Sequence, residues 1–416
     1  MNPNARHEAG AEPALPLTGI RVVEFTHMVM GPTCGMMLAD LGAEVIKIEP
    51  VQGDNTRRLK GSGAGFFTMF NRNKKSLPVN LQDPRGIELV LKLIATADIV
   101  SEHFKAGTMA RLGLDYATLS KLNERLIYVS HKGFLPGPYQ HRTALDEVVQ
   151  MMGGLAYMTG PEGRPLRAGA AVNDIMGGMF GAMGAMAALL ERQRTGRGQE
   201  VQSALFENNV FLVGHHMMQY AVTGKPAAPM PSRISAWAVY DVFTVKDGEQ
   251  IFLAVVSDTQ WKLFCEAFDF ADLAADARLA GNNDRVEARA WLMPILRERL
   301  ASRPAAAIAA RFEAQGLPYA PIAKPQDLFD DPHLAATGGL ADVVLPQDGA
   351  GSGAGGGASA HAKVPLLPIT LGGRRPGVRI DPPALGAHGA QLLETLGLSA
   401  TQIAALTEAG VVGPVN

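Results

Sequence analysis

Short apolar runs alternate along the chain with stretches in which apolar residues return at helical spacing. Residues 20–25 (IRVVEF) read as a buried strand, 32–41 as a helix closed by Gly42, and 44–49 (EVIKIE) as a second strand. Such a strand–helix–strand unit places ligands at the carboxyl ends of its strands. Residues 66–81 then carry a basic turn, Asn71-Arg72-Asn73-Lys74-Lys75, ahead of a short strand. Residues 83–96 form an amphipathic pattern with Pro84 in the first turn, and 98–104 and 126–134 read as further strands. Strands and helices alternate at βαβ spacing, which predicts an α/β fold with a mainly parallel sheet. A helix from about Leu145 and a gap rich in Gly and Pro bring the chain to Asp174.

From 175 to 190 the chain has no charged residue. An apolar pattern on every face predicts a helix buried on all sides. Small residues recur at Gly177, Gly181 and Ala185, so another backbone can approach closely. A membrane span needs roughly 20 apolar residues, and this run is shorter and rich in glycine. Asp174 stands where a helix N-cap is expected. A carboxylate at the positive end of a buried helix suits a cap, and equally a nucleophile.

Residues 1–16 read as a loose tail, and 17–220 as the first part of a large domain. Three prolines mark a linker at 221–237, after which the composition shifts to a smaller α+β domain at 238–330. That domain opens with a hairpin turning at Lys246-Asp247-Gly248, followed by helices at 261–268, 285–300 and 304–315. Residues 331–416 return to the large domain. They include a Gly/Ala/Ser-rich loop at 347–362, an extended stretch at 363–369 that Pro365 and Pro368 confine to an edge, and helices at 389–396 and 400–409.

Composition changes this picture little. The 416 residues are 47% hydrophobic and 19% charged, with a formal charge of −2, which gives no basis for nucleic acid or an anionic membrane as partner. Cys34 and Cys265 lie far apart and in no metal-ligand spacing, and residues 1–16 lack the apolar core of a secretory signal, so a cytoplasmic protein without metal is expected. Glu49 closes the second strand as in dinucleotide-binding folds. The turn after the first strand, however, offers only Gly31 and Gly35, so the nicotinamide fingerprint is missing.

Taken in order, LTGIRVVEF…GP…LADLGAEVIKIEP, FFTMFNRNKKSLPVNL, FKAGTMARLGLD, RTGRGQEVQSALFE, YDVFTVKDG and PPALGAHGAQLLETLGL resemble the class III CoA-transferases, the CaiB/BaiF family that includes formyl-CoA transferase. The likeness spans about residues 17 to 413. It implies a Rossmann-like large domain, a dimer of two interlocked ring-like chains, no permanently bound cofactor, and coenzyme A as substrate. It also implies that Asp174, in GAAVNDIMGG, is the nucleophile. A covalent relay then splits thioester exchange into an aspartyl-acyl anhydride and an aspartyl-CoA thioester. The backbone N–H groups of Gly177 and Gly178 are expected to face the oxyanion. By position the family pattern assigns CoA contacts to His27, Met30, Lys74, Lys75, His103, Phe104 and Arg111, with Arg142 as a further contact. The basic side chains meet phosphates and Phe104 lies against adenine.

Three positions depart from formyl-CoA transferases. Val29 stands where they carry a glutamine, Leu145 where they carry a tyrosine, and their glycine-rich loop has no match between Met230 and Trp237. This points away from formate and oxalate. Succinate or a C4–C5 relative is expected as one partner, with Arg167, Arg233 and His141 as candidate carboxylate readers. The same family hosts α-methylacyl-CoA racemases, whose histidine base also falls on Leu145, a side chain that takes no proton. Asp146 and Glu147 are acids beside it. The alternatives are thus a CoA-ester isomerase of that kind and a non-catalytic CoA-binding subunit.

Overall fold

The computed structural model describes residues 14–233, 235–346 and 361–415. They form two compact units, one from the residues up to Pro226 with those from Pro332 on, the other Ala227–Asp331.

The first unit is built on six parallel strands: β1 (Arg21–Phe25), β2 (Glu44–Glu49), β3 (Lys74–Pro78), β4 (Ile99–Glu102), β5 (Ile127–Lys132) and β6 (Glu200–Ala204). Their order is β3-β2-β1-β4-β5-β6, the doubly wound arrangement, so a mainly parallel Rossmann-like sheet is what the chain forms. Both faces are covered, which explains the near-continuous apolar runs. One face packs Val23, Ile46, Leu77 and Val100 under the helix Pro84–Ile94 and the C-terminal helices Gly389–Thr395 and Ala400–Glu408. The other packs Val22, Val45, Ile99 and Val129 under Met30–Asp40 and Val172–Thr195. Helix Pro84–Ile94 starts where its sequence says: the Asp83 carboxylate accepts the Arg85 N–H at 2.9 Å, and Pro84 occupies the first helical position.

Charges buried within this sheet are paired. Lys74 meets Glu24 at 2.8 Å, Lys47 meets Asp54 at 2.9 Å, Arg57 meets Glu49 at 2.8 Å and Arg72 meets Asp40 at 2.7 Å. Unpaired, each would carry a heavy desolvation penalty.

The second unit holds an antiparallel sheet, β7 (Val239–Thr244), β8 (Gln250–Val255) and β9 (Tyr319–Pro321), in that order. Asp247 and Gly248 take positive φ in the hairpin turn, as the Lys-Asp-Gly sequence requires. Phe243, Leu253, Phe264, Leu292 and Phe312 form its core with helices Asp258–Phe268, Arg289–Ala301 and Ala305–Ala314.

Two expectations change. The extended stretch runs from 361 to 365 rather than from 363 to 369, as β11 (His361–Pro365), and it stays at an edge, in a two-stranded antiparallel ladder with β10 (Leu340–Val344). Pro365 ends the ladder, and residues 347–360 of the Gly-rich loop lie outside the described residues. The helix Val172–Thr195 is not buried on all sides: Met179, Met183 and Leu190 are 47%, 55% and 65% exposed in the single chain.

Candidate active site

In a doubly wound sheet the crevice opens where strand order reverses, here between β1 and β4. A cleft of about 510 Å³ occupies that place. His27, Met28 and Met30 line it from the turn after β1; His103, Phe104 and Lys105 follow β4; His131 and Lys132 end β5. Thr108, Gly133, Thr143 to Asp146, Asp174 and Leu205 complete the wall.

Asp174 is half-buried and lies in the first turn of the helix Val172–Thr195, two residues inside its start, so it is not the N-cap. The cap residue Ala171 offers no side-chain acceptor. Instead Asp146 Oδ1 accepts the backbone N–H groups of Asn173 at 2.8 Å and Asp174 at 3.2 Å. Burial pushes the Asp174 carboxyl up to about 7; the nearby Asp146 carboxylate adds to the rise and Arg167 opposes it.

Gly177 and Gly178 take a role other than the expected one. Both lie inside the helix, where N–H groups serve the i−4 ladder and are not free for an oxyanion. Their lack of a side chain serves packing. A Cβ on Gly178 would sit 2.5 Å from the Met30 carbonyl oxygen, and one on Gly177 would run into the Met30 side chain. On Gly181 a Cβ would be 2.5 Å from His131 Cε1. The small-residue stripe thus lets the helix Val172–Thr195 lie directly on Met30–Asp40 and on the end of β5.

His27 and His103 meet in the cleft, Nδ1 to Nε2 at 2.5 Å. Burial lowers the His27 pKa and holds that of His103 well below the usual value, with His27 and His131 adding to the latter effect, so the pair is neutral. The Phe104 N–H donates to Glu102 Oε2, which leaves the ring at the cleft wall. Arg111 sits at the margin and donates to Thr108 Oγ1, and Thr108 lines the cleft. Arg142 lies over the Tyr139 ring and lines an adjoining polar hollow of about 390 Å³ with Lys105 and His141.

Lys74 and Lys75 do not reach the cleft. Lys74 is fully buried and gives its ammonium to Glu24, the Pro32 carbonyl and Asn71, so it has none left for a phosphate. Lys75, on the other face of β3, pairs with Glu44 at 2.7 Å. The signal was present in Glu24, Asp40, Glu44 and Glu49: carboxylates within a buried strand–helix unit need cations. Arg167 pairs with Glu147 and lies 3.8 Å from Asp146, and Arg233 donates to the Met230 carbonyl.

Lys105, His131 and Lys132 are charged or titratable cleft residues that the sequence did not single out. His131 is buried, its Nε2 lies 3.2 Å from Ser101 Oγ, and burial pushes its pKa down to about 3. Lys132 Nζ donates to Glu102 Oε1 at 2.7 Å. Their position at the carboxyl end of a parallel strand was the available clue. Among the described residues no cluster of three or more His, Cys, Asp or Glu can hold a metal, and no helix is long and apolar enough to cross a membrane.

The model of CoA-transferase family III matches residues 17–389, and the chain belongs to that family. It is 34% identical to the succinate–glutarate CoA-transferase of Agrobacterium fabrum, over 92% of this chain and 96% of the relative. Identity to the acetyl-CoA:oxalate CoA-transferase of Acetobacter aceti is 35%, over 78% of this chain and 85% of that protein. The crystal structure of a CaiB/BaiF family protein from Brucella suis superposes with a TM-score of 0.81 at 34% identity, covering 92% of this chain and all of the other.

Proposed function

We propose that the protein moves CoA from an acyl-CoA to a free carboxylic acid through covalent intermediates on Asp174. The observation that carries this is a half-buried carboxylate in the wall of the switch-point cleft, on the first turn of a helix. Asp174 attacks the thioester carbon, the C–S bond breaks, and the CoA thiolate leaves with the electron pair, giving a mixed anhydride. The thiolate attacks the aspartyl carbon and releases the donor acid, leaving an aspartyl-CoA thioester. The acceptor carboxylate attacks that thioester, and the thiolate returns to the acceptor's own acyl carbon. Asp174 is regenerated. Each step replaces a difficult exchange by an attack on an activated acyl group.

A Phe104 ring at the cleft wall suits stacking on adenine, and Lys105 and Arg142, with Arg111 bonded to Thr108 at the margin, suit the charges of phosphates or of the acceptor. Relatives named for succinate and glutarate support a dicarboxylate as one substrate. The free, buried Cys34 and Cys265 suit a cytoplasmic setting. The exposed apolar face of Val172–Thr195 suits a homodimer.

Incubation with succinyl-CoA followed by hydroxylamine should leave a hydroxamate on Asp174, read by peptide mass spectrometry. Asp174→Ala should lose the adduct and at least about a thousandfold in kcat. Deuterium wash-in next to the thioester, without an adduct, would turn the reading to an isomerase. CoA binding with neither would leave a binding subunit.

A further inference from the structure

Asp146 begins the helix Asp146–Met152 and is 7% exposed, yet it does not cap that helix. Its Oδ1 reaches instead to the nucleophile's helix and takes two first-turn N–H groups. Its Oδ2 accepts the Gln150 amide N–H at 2.5 Å, and Gln150 Oε1 accepts the Ala168 N–H at 2.8 Å. The approach loop and the first turn of a 24-residue helix therefore hang on one carboxylate. A serine or asparagine would satisfy the same N–H groups. What a carboxylate adds is a second negative charge beside Asp174.

We propose that Asp146 is the positioning residue of the reaction, aiming Asp174 by closing its helix turn and, by its charge, favouring the neutral acylated forms of Asp174 over the free anion. The inference rests on Asp174 as nucleophile. When Asp174 attacks, its negative charge passes to the departing thiolate and the side chain becomes a neutral anhydride. Repulsion from Asp146 is relieved in that step, stays relieved in the aspartyl-CoA thioester, and returns only when the nucleophile is regenerated. The other charged or titratable groups around Asp174 do not supply this effect. Arg167 opposes it while engaged with Glu147, and His27, His103 and His131 are held neutral. Lys132 is tied to Glu102 and the Phe104 carbonyl, Lys105 lines the outer cleft, and Glu207 accepts the Leu135 N–H.

The test uses full-length Asp146→Asn and Asp146→Ser, both of which keep an acceptor for the two N–H groups and remove the charge. In either variant that folds, the acid limb of kcat/KM for succinyl-CoA should move down by about one pH unit, and the acyl-enzyme trapped at equilibrium should fall about tenfold. Gln150→Leu, which loosens Asp146 without changing charge, should lower kcat and leave the limb in place. A limb unmoved in both charge-removing variants, or a kcat loss uniform with pH, overturns the proposal. Failure of the nucleophile assignment reads differently, as turnover that survives Asp174→Ala.

Discussion

The chemistry of this site turns on how much a carboxylate is disturbed by where it sits. Asp174 is raised from 3.8 to about 7 by burial, with Asp146 adding and Arg167 subtracting. Only the ionised form attacks a thioester, so kcat/KM of the free enzyme should climb with pH to a plateau above about 7, not above 4 as for an exposed aspartate. The same displacement bears on stability. The folded chain keeps a proton that the unfolded chain releases near 3.8, so this group's contribution to stability falls as pH rises from 3.8 to about 7 and is level beyond. Asp174→Asn removes the penalty. Above pH 7 it should be more stable than the parent by about 1 to 3 kcal/mol in urea unfolding, while inactive. At pH 4 the two should coincide. A variant less stable than the parent at pH 8 would mean that the carboxylate is better solvated than its surroundings indicate.

At the scale of elements, the strand–helix–strand opening was legible because apolar runs and turn residues agree there. The basic turn 71–75 was not, because a run of cations reads the same whether it faces phosphate or buried carboxylates. The pleat of β3 decides it: Lys74 points into the sheet core toward Glu24, and Lys75 points out toward Glu44. Two substitutions on neighbouring residues should therefore differ sharply. Lys74→Met leaves Glu24 charged and buried, and should lower stability by about 3 to 5 kcal/mol. Lys75→Met loses a partly exposed pair and should lower it by less than about 1 kcal/mol. Equal losses in urea unfolding would show that Lys74 is not the partner on which Glu24 depends. The helix Val172–Thr195 was half legible. Its glycine stripe announced a close neighbour, and Met30–Asp40 is that neighbour, but a helix start defined by the distant side chain of Asp146 leaves no local mark, so Asp174 read as a cap.

At the scale of the molecule, strand order puts the site together, since β1, β4 and β5 bring residues from 27 to 132 to one crevice. No local pattern states that order, and the resemblance of the whole chain to one family stood in for it. The uncharged run 175–190 carries a second whole-molecule message. It was read as burial within the chain, yet Met179, Met183 and Leu190 face outward. The helix Leu205–Thr223 adds Phe211 at 72% and Val222 at 84% exposure, together with the exposed Met217, Met218 and Tyr220. Isolated apolar side chains on a surface are ordinary, but this many on two packed helices form a patch that a soluble monomer rarely leaves to water. A second copy of the chain is the occupant that the family resemblance implies. Sedimentation equilibrium at micromolar concentration should then give twice the chain mass. Phe211→Glu, which buries a charge in the joined state and exposes it harmlessly in the separate one, should shift the mass toward that of one chain while leaving the circular dichroism of the fold unchanged. A parent protein that sediments as a single chain would leave the outward methionines without this partner.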